Sequence, residues 1–254
     1  MFRVVIPARY ESTRLPGKVV LPIAGKPMVQ WVHERACAAG AAEILIATDD
    51  ERIASLAAGF GAMAVRTVHD HASGTDRIAE VARARGWAAA DIVVNLQADE
   101  PLMPPAVIAQ VARLLAEEPQ AEIATLATAI TSLDELMDPN VVKVVTDSRG
   151  MALYFSRAPV PWNRDGAAAG LVSQRDARGA RRHRGLYAYR TGTLARLAQL
   201  PRGTLEAREQ LEQLRALEYG IPIFVGDAVE EPGPDVNTLA DLERVAAQLA
   251  RVPS

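Results

Sequence analysis

Phe2-Arg3-Val4-Val5-Ile6-Pro7-Ala8-Arg9-Tyr10-Glu11-Ser12-Thr13-Arg14-Leu15-Pro16-Gly17-Lys18 opens with a β-branched apolar run and passes into a polar loop punctuated by proline and glycine. A helix-period stretch follows from about Met28 to Ala39, so the order reads strand, loop, helix. That order recurs. Glu43 to Thr48 reads as a strand, Glu51 to Ala58 as a helix, Ala62 to Arg66 as a short strand, Thr75 to Arg85 as a helix and Ile92 to Leu96 as a strand. Alternation of this kind calls for parallel strands joined by crossover helices. The apolar runs Ile44-Leu45-Ile46-Ala47 and Ile92-Val93-Val94 are continuous rather than alternating. Helices should therefore cover both faces of a mostly parallel, doubly wound, Rossmann-like α/β sheet.

Beyond about Ala121 the texture changes. Glu122 to Ile130, Val141 to Asp147, Ala152 to Ser156 and Gly185 to Arg190 read as strands with few helices between them, which predicts an antiparallel insertion. The stretch from Arg157 to Arg184 is too long for an ordinary connection, so the insertion region 151–195 is expected to hold a lid and an oligomer contact. A helix over Leu205 to Tyr219, a strand at Ile223 to Val225 and a last helix opened by Thr238 complete the chain. Thr238 and Asp241 have the spacing of a capping box. Without an internal repeat or a low-complexity linker, residues 1–254 are read as one elaborated domain.

The 254 residues are 49% hydrophobic and 23% charged, with a formal net charge of −3, which gives no argument for a nucleic-acid partner. One cysteine, Cys37, and no C-x-x-C spacing exclude an intramolecular disulfide and a cysteine zinc site, and fit a cytoplasmic protein. No apolar stretch reaches 18 residues and the first residues lack a leader pattern, so neither membrane insertion nor secretion is expected. His69 and His71 suit either a metal held from a strand or, more simply, two solvated loop residues. Of the 28 lysines and arginines only three are lysines, Lys18, Lys26 and Lys143. An arginine-rich genome accounts for most of that imbalance, but replacement by arginine spares positions that need a compact ammonium.

In an open parallel sheet, ligands bind beyond the carboxyl ends of the strands. Three polar clusters are expected there. Arg9 to Lys18 combines cations, hydroxyls and a glycine in one strand-to-helix loop, a composition suited to a triphosphate as well as to a plain solvated loop. It is neither a Walker loop nor G-x-G-x-x-G, which removes the argument for a nicotinamide oxidoreductase on a similar fold. In Asn95-Leu96-Gln97-Ala98-Asp99-Glu100-Pro101, the proline biases Glu100 away from helix, so the strand is expected to run on through Asp99 with Asn95, Gln97 and Asp99 on one side. Asp99 then suits Mg²⁺, although a capped turn explains the same residues. Gly233-Pro234-Asp235-Val236-Asn237-Thr238 offers Asp235 or Asn237 as a second ligand, or only a turn.

Pro7-Ala8-Arg9-Tyr10-x-Ser12-Thr13-Arg14-Leu15-Pro16-Gly17-Lys18 resembles the signature loop of the 3-deoxy-manno-octulosonate cytidylyltransferases, the CMP-Kdo synthetases. Further similar stretches run along nearly the whole chain, among them Ser73-Gly74-Thr75-Asp76-Arg77, Gln97-Ala98-Asp99-Glu100-Pro101 and Leu211-Glu212-Gln213-Leu214-Arg215. The resemblance implies a nucleotidyltransferase of nucleotide-diphospho-sugar transferase type. In its reaction the anomeric hydroxyl of the sugar acid attacks the α-phosphate of CTP, giving CMP-Kdo and pyrophosphate for lipopolysaccharide biosynthesis. It assigns Arg14, Lys18 and Asp99 to catalysis. Arg9, Ser12, Arg14, Lys18, Ser73, Gly74, Thr75 and Arg77 are assigned to the nucleotide. Gln97, Arg157, His183, Tyr187, Glu212 and Gln213 go to the sugar, and Asp99 with Asn237, or Asp235, to Mg²⁺. Asn237 stands where the family commonly has aspartate, so either a second metal binds more weakly or Asp235 compensates. A homodimer is implied as well. The alternatives are a cytidylyltransferase for a sialic-type or amino-substituted acid sugar, and a catalytically silent nucleotide-binding regulator.

Overall fold

The computed structural model describes residues 1–12, 15–71, 73–166, 169–170 and 174–250. Its first strand, β1 (Arg3–Pro7), buries Val4, Val5 and Ile6 completely. Val4 and Ile6 enter the core on one face of the sheet and Val5 the core on the other, so the continuous apolar run is the mark of a strand covered twice. Each such side chain contributes about 1.5–3 kcal/mol by its burial.

A small hairpin of β2 (Pro22–Ile23) and β3 (Lys26–Pro27) leads into α1 (Met28–Ala38). The parallel units β4 (Glu43–Thr48), α2 (Glu51–Gly59), β5 (Met63–Arg66), α3 (Gly74–Ala84) and β6 (Ile92–Asn95) follow as the alternation predicts. Local capping starts the helices: Asp50 Oδ1 accepts from the Arg52 amide at 2.8 Å to open α2, and Ser73 Oγ accepts from the Asp76 amide at 3.1 Å to open α3. After α4 (Pro105–Glu117) come β7 (Ile123–Ala129), the short α5 (Leu133–Met137), β8 (Lys143–Thr146), β9 (Ala152–Ser156) and the long β10 (Arg181–Arg190). Helices α6 (Thr191–Leu197), α7 (Thr204–Glu209) and α8 (Gln213–Glu218) precede β11 (Ile223–Asp227) and α9 (Leu239–Leu249).

The main sheet runs β11-β7-β10-β6-β1-β4-β5, with β8 and β9 attached to it through β10. Strand β10 is antiparallel to both β6 and β7, whereas β6, β1, β4 and β5 pair in parallel. The strand order reverses between β1's two neighbours, β4 and β6, which opens a crevice at their carboxyl ends.

Three expectations are corrected. Strand β6 stops at Asn95, and the Glu100 amide closes a turn onto Gln97 O at 3.2 Å instead of leaving the chain extended to Asp99. Strand β10 begins at Arg181, inside the segment read as lid, because Arg181 to Arg184 pair with Ala129 to Leu126 before a register shift ahead of Tyr187. The single helix over Leu205 to Tyr219 is two, broken where Gln210 adopts φ 54°. The capping box of Thr238 with Asp241 forms as its spacing predicts.

Candidate active site

Beyond β1, the loop is pinched shut. Gly17 donates to Tyr10 O at 2.9 Å with φ 68°, and a Cβ at Gly17 would sit 3.1 Å from Tyr10 Cζ, so glycine answers both backbone and space. The Arg52 guanidinium covers the Tyr10 ring at 3.3 Å from its centre. This closure projects Lys18 into a cleft of about 330 Å³ shared with Arg9, Ser12, Gln97, Asp99 and Asn237. The Lys18 ammonium meets Asp99 Oδ2 at 2.5 Å, Val236 O at 3.1 Å and Asn237 Oδ1 at 3.3 Å. Three donors thus face three oxygens drawn from two distant loops. The two loops are also tied directly, the Val236 amide donating to Asp99 O at 2.9 Å.

Gln97 leads from that cleft into a smaller pocket of about 100 Å³ walled by Thr75, Asn95, Tyr187, Tyr189, Glu212 and Gln213. Gln97 Nε2 donates to Asn95 Oδ1 at 3.0 Å, and the rings of Tyr187 and Tyr189 stack with centres 5.7 Å apart. Burial raises the Glu212 carboxyl above its ordinary range, opposed by a hydrogen bond from Thr75 and by Arg215. The same burial pushes both tyrosine hydroxyls upward. Gly74 lets α3 approach the site closely, since a Cβ there would lie 3.2 Å from Pro7 Cγ.

A third cleft of about 680 Å³ shares Gln97 and Asp99 and is walled by Glu100, His183, Arg184, Glu231 and Asp235. Burial, Asp99 and Asp235 push the Glu100 carboxyl up to about 8, and its Oε2 has no hydrogen-bond partner among the described residues. Burial brings Arg184 down to about 10 even though it pairs with Glu231. His183 is lowered to about 3 by burial and Arg184, so it is neutral at pH 7. Its Nε2 lies 3.0 Å from Thr125 Oγ1, which also faces the carbonyls of Arg184 and Leu186. Carbonyls only accept, so the Thr125 proton goes to one of them and His183 Nε2–H donates to the hydroxyl.

The predicted residues therefore fall into distinct places. Arg9, Ser12, Lys18, Asp99 and Asn237 share the first cleft. Gly74, Thr75, Tyr187, Glu212 and Gln213 share the second, with Gln97 common to all three. Ser73 caps α3 and reaches Glu212 Oε1 at 3.4 Å. His183 and Asp235 face the third. Arg77 turns away to Asp49 at 3.1 Å and to Thr67, and Arg157 donates to Glu209 O at 2.7 Å and Pro139 O at 2.9 Å, so neither arginine lines any of the three clefts. Arg14 lies outside the described residues, as does Thr13.

His69 and His71 do not converge, each meeting a different carboxylate at 2.5 Å, Asp49 and Glu80. Lys26 pairs with Glu34 at 2.8 Å against the Trp31 ring, and Lys143 is fully buried on the carbonyls of Asp138 and Val141. Tyr189, Arg215 and Glu100 carry no role in the sequence reading. Tyr189 was within reach of it, standing two residues after Tyr187 on one strand and hence on the same face.

Fold and clefts together define a nucleotidyltransferase. The family model for cytidylyltransferases matches residues 3–223. A 3-deoxy-manno-octulosonate cytidylyltransferase of Thioalkalivibrio sulfidiphilus is 54% identical over 244 residues, covering 96% of this chain and 97% of the relative. That of Vibrio vulnificus is 53% identical over 249 residues, covering 98% of both. The solved structure of a CMP:2-keto-3-deoxy-manno-octonic acid synthetase complexed with CTP superposes with a TM-score of 0.88 at 43% identity, covering 99% of each chain. A putative glucose-1-phosphate thymidylyltransferase from Bacillus anthracis, at 16% identity and a TM-score of 0.67 over 100% of this chain and 97% of the other, shares the fold. The chain belongs to the 3-deoxy-manno-octulosonate cytidylyltransferase family.

Proposed function

We propose that the protein joins CTP to 3-deoxy-manno-octulosonate, releasing pyrophosphate and activating the sugar acid for lipopolysaccharide biosynthesis. The observation that carries this reading is the meeting of Lys18, Asp99 and Asn237 in a cleft at the sheet's crossover point, with Gln97 as common wall to a pocket of hydroxyls and a carboxyl. Arg9, Ser12 and Lys18 supply donors and positive charge to a triphosphate in the first cleft. Tyr187, Glu212 and Gln213 offer donors and acceptors to the hydroxyls of an acid sugar in the second. In the reaction the sugar oxygen bonds to the α-phosphorus, the bond to the β-phosphate oxygen breaks, and the hydroxyl proton is released. Such chemistry depends on positioning and charge neutralisation rather than on a covalent enzyme intermediate.

Magnesium is part of the proposal. Asp99 Oδ2, Asn237 Oδ1 and Val236 O already converge on a cation, the Lys18 ammonium, so the donor set has the oxygen chemistry a hard divalent ion requires. Among the described residues no group of three or more histidine, cysteine or carboxylate side chains is gathered to hold a metal, so phosphate oxygens and water would complete the shell. When bound, the ion neutralises charge on the α-phosphate. A homodimer in the cytoplasm is carried by the family resemblance. Among the described residues no helix is long and apolar enough to cross a membrane.

Pyrophosphate release, measured with a panel of nucleoside triphosphates and sugar acids across a magnesium titration, tests the whole reading. Turnover is expected with CTP and 3-deoxy-manno-octulosonate and to depend on the metal. Faster turnover of a sialic-type or amino-substituted acid would reassign the acceptor, and CTP binding without turnover would make the protein a regulator.

A further inference from the structure

We infer that Asp235 is a positioning residue, which turns the carbonyl of Asn237 toward the cation site and restores from behind the charge that an amide at 237 lacks. The inference rests on the cation reading above. Asn237 spans two groups of opposite charge: its Oδ1 lies 3.3 Å from the Lys18 ammonium, and its Nδ2 donates to Asp235 Oδ2. Shape alone leaves the two ends of an amide interchangeable, but these partners do not. An ammonium only donates and a carboxylate only accepts, so a single orientation satisfies both.

The backbone beneath is already fixed. The Asn237 amide donates to Asp241 Oδ2 at 3.1 Å, and the Val236 amide donates to Asp99 O at 2.9 Å. What those bonds leave undetermined is the side-chain torsion of Asn237, and Asp235 determines it. Charge follows the same path. A carboxylate behind the amide polarises it and makes its oxygen a better cation ligand, as an outer carboxylate does for a metal-bound imidazole. Asp99, Glu100, Arg182, Arg184 and Glu231 line the third cleft with Asp235, but the Asn237 side-chain amide is hydrogen-bonded to Lys18 and Asp235 and to none of these. A carboxylate at 237 would instead face Asp235 as a like charge at hydrogen-bonding distance. The two positions are therefore coupled with a definite sign: an amide at 237 needs the acid at 235, and an acid at 237 is hindered by it.

The test is a double-mutant cycle of Asp235→Ala, Asn237→Asp and the double variant, read in two ways. Manganese affinity of the CTP-loaded enzyme, followed by electron paramagnetic resonance, should fall about fivefold in Asp235→Ala, the size of one modest hydrogen-bond contribution. In the Asn237→Asp background the same alanine should raise affinity. Asp235→Asn keeps an acceptor without the charge and should fall between native and alanine. Thermal midpoints of the metal-free protein should show the same sign reversal, with shifts of about 2 °C. Equal effects of Asp235→Ala in both backgrounds, by both readouts, would overturn the inference. If the native CTP-loaded enzyme takes up no manganese, the cofactor reading fails, and the metal-free cycle still decides whether Asp235 and Asn237 are coupled.

Discussion

The cleft around Lys18 and the wall around His183 lie on either side of Asp99, yet they are built on opposite principles. The first is made of irregular backbone beyond β1 and β6 and before α9, and its groups are charged and held by one another. The second is made of side chains from β10 packed on β7, and its histidine is neutral because burial keeps it so. Phe155 meets the His183 ring edge-on at 4.9 Å, and Tyr187 follows at 5.3 Å. The contrast separates two kinds of sensitivity. Geometry at constant charge governs the Lys18 cleft, whereas proton occupancy and packing govern the His183 wall.

Lys18→Arg is the sharpest way to break that contrast. Charge is conserved, but a forked, planar guanidinium neither fits the single focus where Asp99, Val236 and Asn237 meet nor approaches a phosphate oxygen as a compact ammonium does once a metal takes those oxygens. A loss on the order of 10²-fold in kcat/KM for CTP is expected in a pyrophosphate-release assay. Normal turnover would show that charge alone matters at position 18.

The His183 wall predicts a pH effect on stability. A histidine whose folded pKa is depressed from 6.5 to about 3 contributes stability that is complete above 6.5 and is lost as pH falls toward the folded value. Between pH 7.5 and pH 5 the loss should be about 2 kcal/mol. Urea unfolding of His183→Gln, which keeps a donor for Thr125, should lack that part of the slope. Parallel slopes in the two proteins would mean that His183 is protonated without cost and that the wall is no drier than the cleft.

The smallest effect expected concerns the outside of the first loop. Arg52 lies over Tyr10, which in turn covers Gly17, the residue before Lys18. An exposed contact of this type is worth about 0.5–1 kcal/mol. Arg52→Ala should therefore raise the KM for CTP by about two- to fivefold and leave kcat nearly unchanged. A change in kcat of similar size would mean that the brace acts on the reacting geometry and not only on binding.

What could be read from the sequence follows the same division. The parallel units were legible because β1, β4 and β6 are buried on both faces, which writes unbroken apolar runs into the chain. Lys18 and Asp99 were legible because crossover folds place ligands after strands, whereas Asn237, in the turn before α9, was reached only as a partner for Asp99 and through the family resemblance. The Asp99 turn and the early start of β10 were not, since both are decided by pairing with residues far along the chain. Arg181 to Arg184 are polar and sit in a proline- and glycine-rich neighbourhood, and only their ladder with β7 makes them a strand. The break at Gln210 carries no glycine to announce it. Arg77 and Arg157 stand inside stretches that resemble the family's, but the partners that hold them away from the clefts, Asp49 and Glu209, lie 28 and 52 residues distant.

Strand β10 also sets an order of assembly. β6 ends at residue 95 and β7 at residue 129, but in the described sheet they are joined only through β10, which is complete at residue 190. A chain emerging from the ribosome can pair β1, β4, β5 and β6 long before then, while β7 waits for β10 and, later still, β11. The same strand brings Tyr187, Tyr189 and His183, so the sheet closes late and the walls of the second and third clefts close with it. A nascent chain has the loop that ends in Lys18 before it has the pocket that the proposal gives to the second substrate.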